Sequence, residues 1–148
     1  MPHQAIIALG SNMGNRSFYL RMADCLIGWE VGTVTRRSSV IETPAWGFES
    51  DPFLNQVIVV ETELEPLPLL DALQSIERRL GRAQKSYYLD QQPVYHARTI
   101  DLDILDYDRI RYHDERLTLP HPLIAEREFV LAPLRELNID LIHDENPL

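Results

Sequence analysis

Residues 96–105 read HARTIDLDIL, and within them Ile100, Leu102 and Ile104 alternate with Asp101 and Asp103. A period of two predicts a β-strand with its apolar side chains facing a core and both carboxylates on the opposite face. Aspartate is depleted in strands, so two on one face call for a reason. Side chains two apart on a strand lie about 7 Å from each other. Carboxylates at that spacing repel unless a cation sits between them. Hard divalent cations such as Mg2+ take oxygen ligands, often one or two carboxylates with waters and substrate phosphates. The D-x-D is therefore a platform for a metal and a phosphate. Taken bare, it suits the solvent face of a strand better.

The surrounding cations bear on the choice. Arg98 lies three residues before Asp101, and Arg82 and Lys85 precede it in a loop. His121 sits in PHP, and Arg127 stands near the start of the last predicted helix. Guanidinium groups bind phosphate in forked geometry. If these groups converge on the aspartates, they supply what phosphoryl transfer requires, namely positioning and compensation of negative charge. Each cation taken singly fits a solvated surface. A second constellation is aromatic: Trp46 and Phe48 flank Gly47 between Pro44 and Pro52, with Phe53, Asn55 and the distant Phe129 as candidate neighbours. Aromatic faces plus one amide can hold a flat heterocycle. The same rings would also serve to plug a loop onto the core.

Other chemistries lack their signatures. The chain has neither G-x-x-x-x-G-K-[ST] nor G-x-G-x-x-G, and GSNMGN at 10–15 reads as a strand-to-helix connection. The five histidines show no metal-ligand spacing and Cys25 is the single cysteine. Structural zinc is thus not expected, and one cysteine fits a reducing compartment. No apolar run reaches about 18 residues, so no membrane span is expected and the cytoplasm is the expected location. The net charge of −9 argues against general nucleic-acid binding. Yet 76–98 carries Arg78, Arg79, Arg82, Lys85 and Arg98 against only Glu77 and Asp90. A locally basic stretch on an acidic chain could hold a small polyanion, or simply form a solvated helix end and loop.

The elements that must position these groups follow from periodicity. With 148 residues, 45% apolar and 25% charged, one globular domain spanning 1–148 is expected. Strands are predicted at 4–9, 32–42, 53–63 and 98–106. Helices are predicted at 16–29, from Pro66 to Leu80, where Gly81 closes the element, and from about 124 to 137. Loops are predicted at 43–52 and 81–97, and a short hairpin near 108–118. The order βαββαβ, followed by a hairpin and a helix, predicts an α+β, ferredoxin-like sandwich: an antiparallel sheet with helices on one face.

Five segments in this order resemble the hydroxymethyldihydropterin pyrophosphokinase family of folate biosynthesis: ALGSNMGN at 8–15, ETPAWG at 42–47 with FLN at 53–55, LQSIERRLGR at 73–82, HARTIDLDIL at 96–105 and LTLPHPLIAEREFVL at 117–131. The resemblance implies transfer of pyrophosphate from ATP to the hydroxymethyl group of a reduced pterin, releasing AMP, with two Mg2+ ions ligated by Asp101 and Asp103. It places Gln74 and Glu77 beside the nucleotide. Arg82, Arg98, Arg116, His121 and Arg127 would contact the nucleotide or the moving pyrophosphate, and Thr118 and Ile104 would lie on the adenosine side. Thr43, Pro44, Trp46, Phe53, Asn55 and Phe129 would form the pterin pocket. Where the family often has a second arginine this chain has Gln84, beside which Lys85 offers a point charge. Where the family often has Trp-Gly-Pro it has Tyr95, His96 and Ala97, and Tyr95 offers a stacking ring. A monomer or weak dimer is expected. Two other readings use the same residues: a binding module with an acidic strand face, and a relative that binds nucleotide without turnover.

Overall fold

The computed structural model describes residues 2–43, 52–81 and 99–141, together with the backbone of 87–89 and 92–94. The chain opens with β1 (His3–Ser11) and α1 (Arg16–Glu30), then β2 (Gly32–Arg37), β3 (Ile41–Thr43) and β4 (Phe53–Thr62). Next come α2 (Pro66–Arg79), the small strands β5 (Tyr87–Leu89) and β6 (Gln92–Val94), and β7 (Asp101–Tyr107). It continues through β8 (Tyr112–His113), β9 (Thr118–Leu119), a 3-10 turn (Ile124–Glu126) and α3 (Glu128–Glu136). The main sheet runs β2-β4-β1-β7, with β3 also on β4, and every pairing in it is antiparallel.

Local chemistry sets the helix ends. Asn15 accepts a hydrogen bond from the Phe18 N–H and caps α1. Pro66 opens α2, and Gly81 follows its end at φ +108°, a conformation glycine tolerates best. Leu69, Leu73 and Ile76 of α2, with Leu20, Ala23 and Ile27 of α1, bury against Ile7, Leu9, Ile58, Val60, Leu102 and Ile104 on one sheet face. Helix α3 covers the other face, where Val130 and Leu134 meet Ile6, Val57, Val59 and Leu105. Two helices therefore share the predicted face and the third lies opposite. Among the described residues no helix is long and apolar enough to cross a membrane.

Three predicted elements differ in detail. The strand expected over 32–42 breaks at Ser38, which is buried. There the Ser38 N–H donates to the Val57 carbonyl and the Ser38 hydroxyl accepts from the Val57 N–H, each at 2.9 Å. A side chain thus replaces one backbone partner while the strand bends away. The helix expected from about 124 to 137 is divided by Arg127, whose backbone is extended at φ −122°, ψ 98°. Within the loop expected at 81–97, β5 and β6 pair antiparallel.

The turn after β7 is pinned to the start of β1. Asp108 accepts from the Gln4 N–H at 2.7 Å and lies 2.6 Å from His3 Nδ1, and the His3 ring stacks on Tyr107. The hydrogen bond to Asp108 raises the His3 pKa above its ordinary 6.5 against opposition from burial, and the charges of Asp108 and Glu65 add to the rise. Burial pushes Asp108 up, but the Gln4 N–H and His3 outweigh it and hold it below 3.8. A raised histidine pKa stabilises fully below the unfolded value and loses that contribution as pH climbs through the folded one. A depressed aspartate contributes above its unfolded value and loses that contribution as pH falls. His3→Phe, which keeps a ring on Tyr107, is therefore expected to lower the urea midpoint most between about pH 4 and pH 6.5. The deficit should shrink as pH rises further, and a deficit independent of pH would refute the charge linkage.

Candidate active site

The site is built on the last residues of β1. Gly10 pairs across the sheet with Asn55 of β4 on one side and with Asp101 of β7 on the other. Two residues earlier, Ala8 pairs with Val57 and with Asp103. Strand periodicity puts all six on one face, the face that α3 covers farther along. One end of that face is thus core and the other carries Asn55, Asp101 and Asp103. The central strand contributes only Gly10 and Ala8 between them, so the floor is low. A Cβ at Gly10 would lie 3.2 Å from Asn55 Oδ1 and 3.5 Å from the Phe53 ring. Glycine is what allows the amide to lie against the strand.

Asn55 is buried, and its Nδ2 donates to Thr43 Oγ1 at 2.6 Å. Thr43 itself pairs with Phe53 in the β3–β4 ladder. The start of α3 delivers two more groups. Phe129 packs against the same apolar cluster as Ala8, and the Arg127 guanidinium carbon lies 5.6 Å from the Phe129 ring centroid. The extended backbone at Arg127 that divides the predicted helix thus places a cation beside an aromatic ring.

Both metal-candidate carboxylates, Asp101 and Asp103, are half-buried, while Leu102 and Ile104 between and after them are buried in the opposite core. Among the described residues no group of three or more His, Cys, Asp or Glu side chains converges. Among the described residues, the oxygen donors that β7 presents on this face are the two carboxylates. That suits Mg2+, which retains waters and takes substrate phosphate oxygens, better than a metal needing a full protein cage.

The outer edge of β7 is flanked by α2 and by the segment after β9. Glu77 of α2 is 4% exposed and accepts from the Leu102 N–H at 2.7 Å. That amide points away from β1, and the strand period turns the Ile104 peptide toward the same edge. On the adjoining stretch the His121 N–H donates to the Leu105 carbonyl at 2.9 Å. His121 Nδ1 accepts from the Leu123 N–H at 3.1 Å, so the neutral ring carries its proton on Nε2.

The β8–β9 hairpin stands beside α2. Arg116 Nη2 donates to Asp71 Oδ1 at 2.6 Å and to Gln74 Oε1 at 3.3 Å, and His113 Nδ1 lies 2.9 Å from Thr118 Oγ1. Asp114 ties the turn, accepting from the N–H groups of Arg116 and Leu117 and from the Tyr112 hydroxyl. The Tyr112 hydroxyl, with the two amides, holds the Asp114 carboxyl below its usual range, and the same contact raises the phenol.

The predicted residues therefore fall into groups. Thr43, Phe53, Asn55, Asp101, Asp103 and Phe129 are gathered on or beside one face. Gln74, Arg116 and Thr118 lie with the hairpin, and Glu77 and His121 hold the β7 edge. Ile104 faces as its alternation predicts. Its side chain is 3% exposed in the α1–α2 core, because strand alternation turns it from the carboxylate face. Any contact it makes with a nucleotide is through its backbone. Pro44, Trp46, Arg82, Lys85, Tyr95 and Arg98 lie outside the described residues. Gly10, Asp71 and Asp114 were not anticipated. Of these only Asp114 had a sequence signal, an aspartate directly before the bend it caps.

The family model described as 7,8-dihydro-6-hydroxymethylpterin-pyrophosphokinase (HPPK) matches residues 6–139. The chain belongs to this family. Among its relatives, the 2-amino-4-hydroxy-6-hydroxymethyldihydropteridine pyrophosphokinase of Bacillus subtilis is 43% identical over 139 residues, covering 93% of this chain and 79% of that protein. The protein of the same name from Porphyromonas gingivalis is 41% identical over 143 residues, covering 95% and 94%. The fold is similar to that of wild-type Plasmodium falciparum HPPK-DHPS, with a TM-score of 0.71 at 16% identity, over 92% of this chain and 40% of that longer one. This pyrophosphokinase moves pyrophosphate from ATP to hydroxymethyldihydropterin in folate synthesis.

In this pyrophosphokinase, Gly10→Ala is expected to shift the Asn55 amide by a few tenths of an ångström, while the Phe53 ring at 3.5 Å stays in ordinary van der Waals contact. The KM for the pterin should rise by about fivefold or more, since small displacements at a binding site carry large penalties, with the KM for ATP little changed. Steady-state kinetics with each substrate varied checks this. An unchanged pterin KM would remove Gly10 from the site.

Proposed function

We propose that the low floor at Gly10 is the meeting point of two subsites, with the pterin ring held on the Asn55 side and the pyrophosphate carried over Asp101 and Asp103. The observation that supports this reading is the cross-strand register. Asn55, Gly10 and Asp101 lie side by side on three adjacent strands, so Asn55 and Asp101 are about 10 Å apart across the sheet. A bicyclic ring bearing a hydroxymethyl arm spans that gap, with its edge at the amide and its hydroxyl at the carboxylates.

Asn55 supplies a carbonyl and an amide N–H to the ring edge, oriented by Thr43, and Phe53 and Phe129 offer aromatic faces. Pro44, Trp46 and Tyr95 complete the pocket. On the other side Gln74, Lys85, Arg116, Thr118, Arg127 and the Ile104 backbone receive the nucleotide, with Glu77 fixing the strand edge that presents Ile104. Asp101 and Asp103 hold two Mg2+ ions. When bound, these neutralise charge on the polyphosphate and make the acceptor hydroxyl more acidic.

The reaction joins the hydroxymethyl oxygen to the β-phosphorus of ATP, breaks the bond from that phosphorus to the AMP oxygen, and releases the hydroxyl proton. The protein's share is positioning and electrostatic compensation. His121, with its proton on Nε2, donates to a phosphoryl oxygen, and Arg82 and Arg98 carry charge to the moving group. We also read the strand order β2-β4-β1-β7 with α1 and α2 on one face as ferredoxin-like, with the hairpin and α3 appended. Residues 1–148 act as one cytoplasmic domain, a monomer or weak dimer without a nucleic-acid partner.

The test is to mix the protein with ATP, Mg2+ and hydroxymethyldihydropterin and follow AMP by chromatography. AMP should form only when both Mg2+ and pterin are present. Asp101→Ala and Asp103→Ala are each expected to lower kcat by about a hundredfold or more, the scale of losing one charge-stabilising group. The loss should be far larger in turnover than in melting temperature, because both side chains are half-buried at the site while the core lies on the opposite face of the strand. Wild-type turnover in either variant would strike that residue from the metal site, and ADP as product would mean different chemistry.

A further inference from the structure

Arg116 sits on a bend between two strands of two residues each, β8 and β9. A long arginine side chain there has rotamer freedom to lose when it binds a ligand. Two sets of contacts remove that freedom in advance. The backbone is fixed from within the turn, where Asp114 Oδ1 accepts from the N–H groups of Arg116 at 2.8 Å and Leu117 at 2.9 Å. The side chain is fixed from α2. Arg116 Nη2 donates to Asp71 at 2.6 Å and to Gln74 at 3.3 Å. Asp71 and Gln74 are three residues apart and so share one face of the helix.

The contact engages one nitrogen of a guanidinium that carries five N–H donors in a planar fork. The Arg116 and Asp71 side chains are 45% and 62% exposed. An ion pair so exposed adds little to the stability of the fold, so its effect falls mainly on where the guanidinium points. Asp71 is not a ligand-facing choice by its charge, since a carboxylate repels a polyphosphate.

We propose that Asp71 is a positioning residue for ATP: it holds the Arg116 guanidinium against Gln74 so that the remaining N–H groups meet the nucleotide already oriented. This rests on the reading of Arg116 as a nucleotide contact.

Steady-state kinetics on Asp71→Ala, Asp71→Glu, Arg116→Ala and the double variant Asp71→Ala/Arg116→Ala test it. Asp71→Ala should raise the KM for ATP by about threefold to fivefold, the size of one exposed ion pair. The KM for the pterin and kcat should stay near wild type; a merely structural loss would move those as well. Asp71→Glu should recover most of the ATP KM. In the Arg116→Ala background the Asp71 change should add nothing, because its partner is gone. An ATP KM that is unchanged or lower in Asp71→Ala, or an effect that adds fully to that of Arg116→Ala, overturns the role of Asp71 alone. If Arg116→Ala leaves the ATP KM unchanged, the reading of Arg116 as a nucleotide contact falls, and the role of Asp71 falls with it.

Discussion

The register of β1 against its two neighbours is the constraint on which the rest of the molecule depends. β1 is a central strand with both faces buried over Ala5, Ile6, Ile7 and Leu9. A slip by one residue against β7 would turn Asp101 and Asp103 into the α1–α2 core and Leu102 and Ile104 out of it. Burial of those apolar side chains on the helix side therefore fixes where the carboxylates stand. The same pairing then sets Asn55 and Asp101 on either side of Gly10. The geometry of the site is a by-product of how the core packs.

The pairing does not run uniformly. Between Ile7 and Ile6 the register against β7 shifts, so that Ile104 faces Ile7 while Asp106 faces Ile6. Leu105 is the extra residue of this bulge. It stays with the α3 cluster, whereas Tyr107 joins the α1–α2 core. A bulge of this kind bends a strand and re-aims its side chains. Here it marks the change from the half of β7 that carries the half-buried carboxylates to a half that is buried throughout. Asp106, the third aspartate, lies past that change. It is buried and accepts from the Arg109 N–H to close the following turn.

Much of this was legible in the sequence because it follows from period. TIDLDI, residues 99–104, alternates strictly, and the structure keeps both of its faces as read. The apolar stripe of α2 and its terminal Pro66 and Gly81 were equally plain. What escaped depends on contacts distant in sequence. EREFVL favours helix by composition, yet Arg127 is extended, since tertiary context overrides propensity. Ser38 ends a β-branched run because Val57, far along the chain, supplies its partners. Gly10 looks like any glycine before a turn, and only the cross-strand neighbour Asn55 shows why a side chain would be tight there. For Ile104, alternation alone put its side chain on the core face, and that is where the structure has it.

The outer side of β7 has a consequence for the molecule's behaviour among copies of itself. A strand at the end of a sheet exposes a row of unpaired peptide groups to which another chain can add. β7 is such a strand, seven residues long and rich in leucine and isoleucine. The Glu77 carboxylate takes the Leu102 amide, and the His121 amide takes the Leu105 carbonyl. Intruding strands are thus denied two of the hydrogen bonds they would need, at points where α2 and the segment after β9 also stand in their way. The flanks that fix the β7 edge, α2 and the segment after β9, also guard the enzyme against edge-to-edge aggregation.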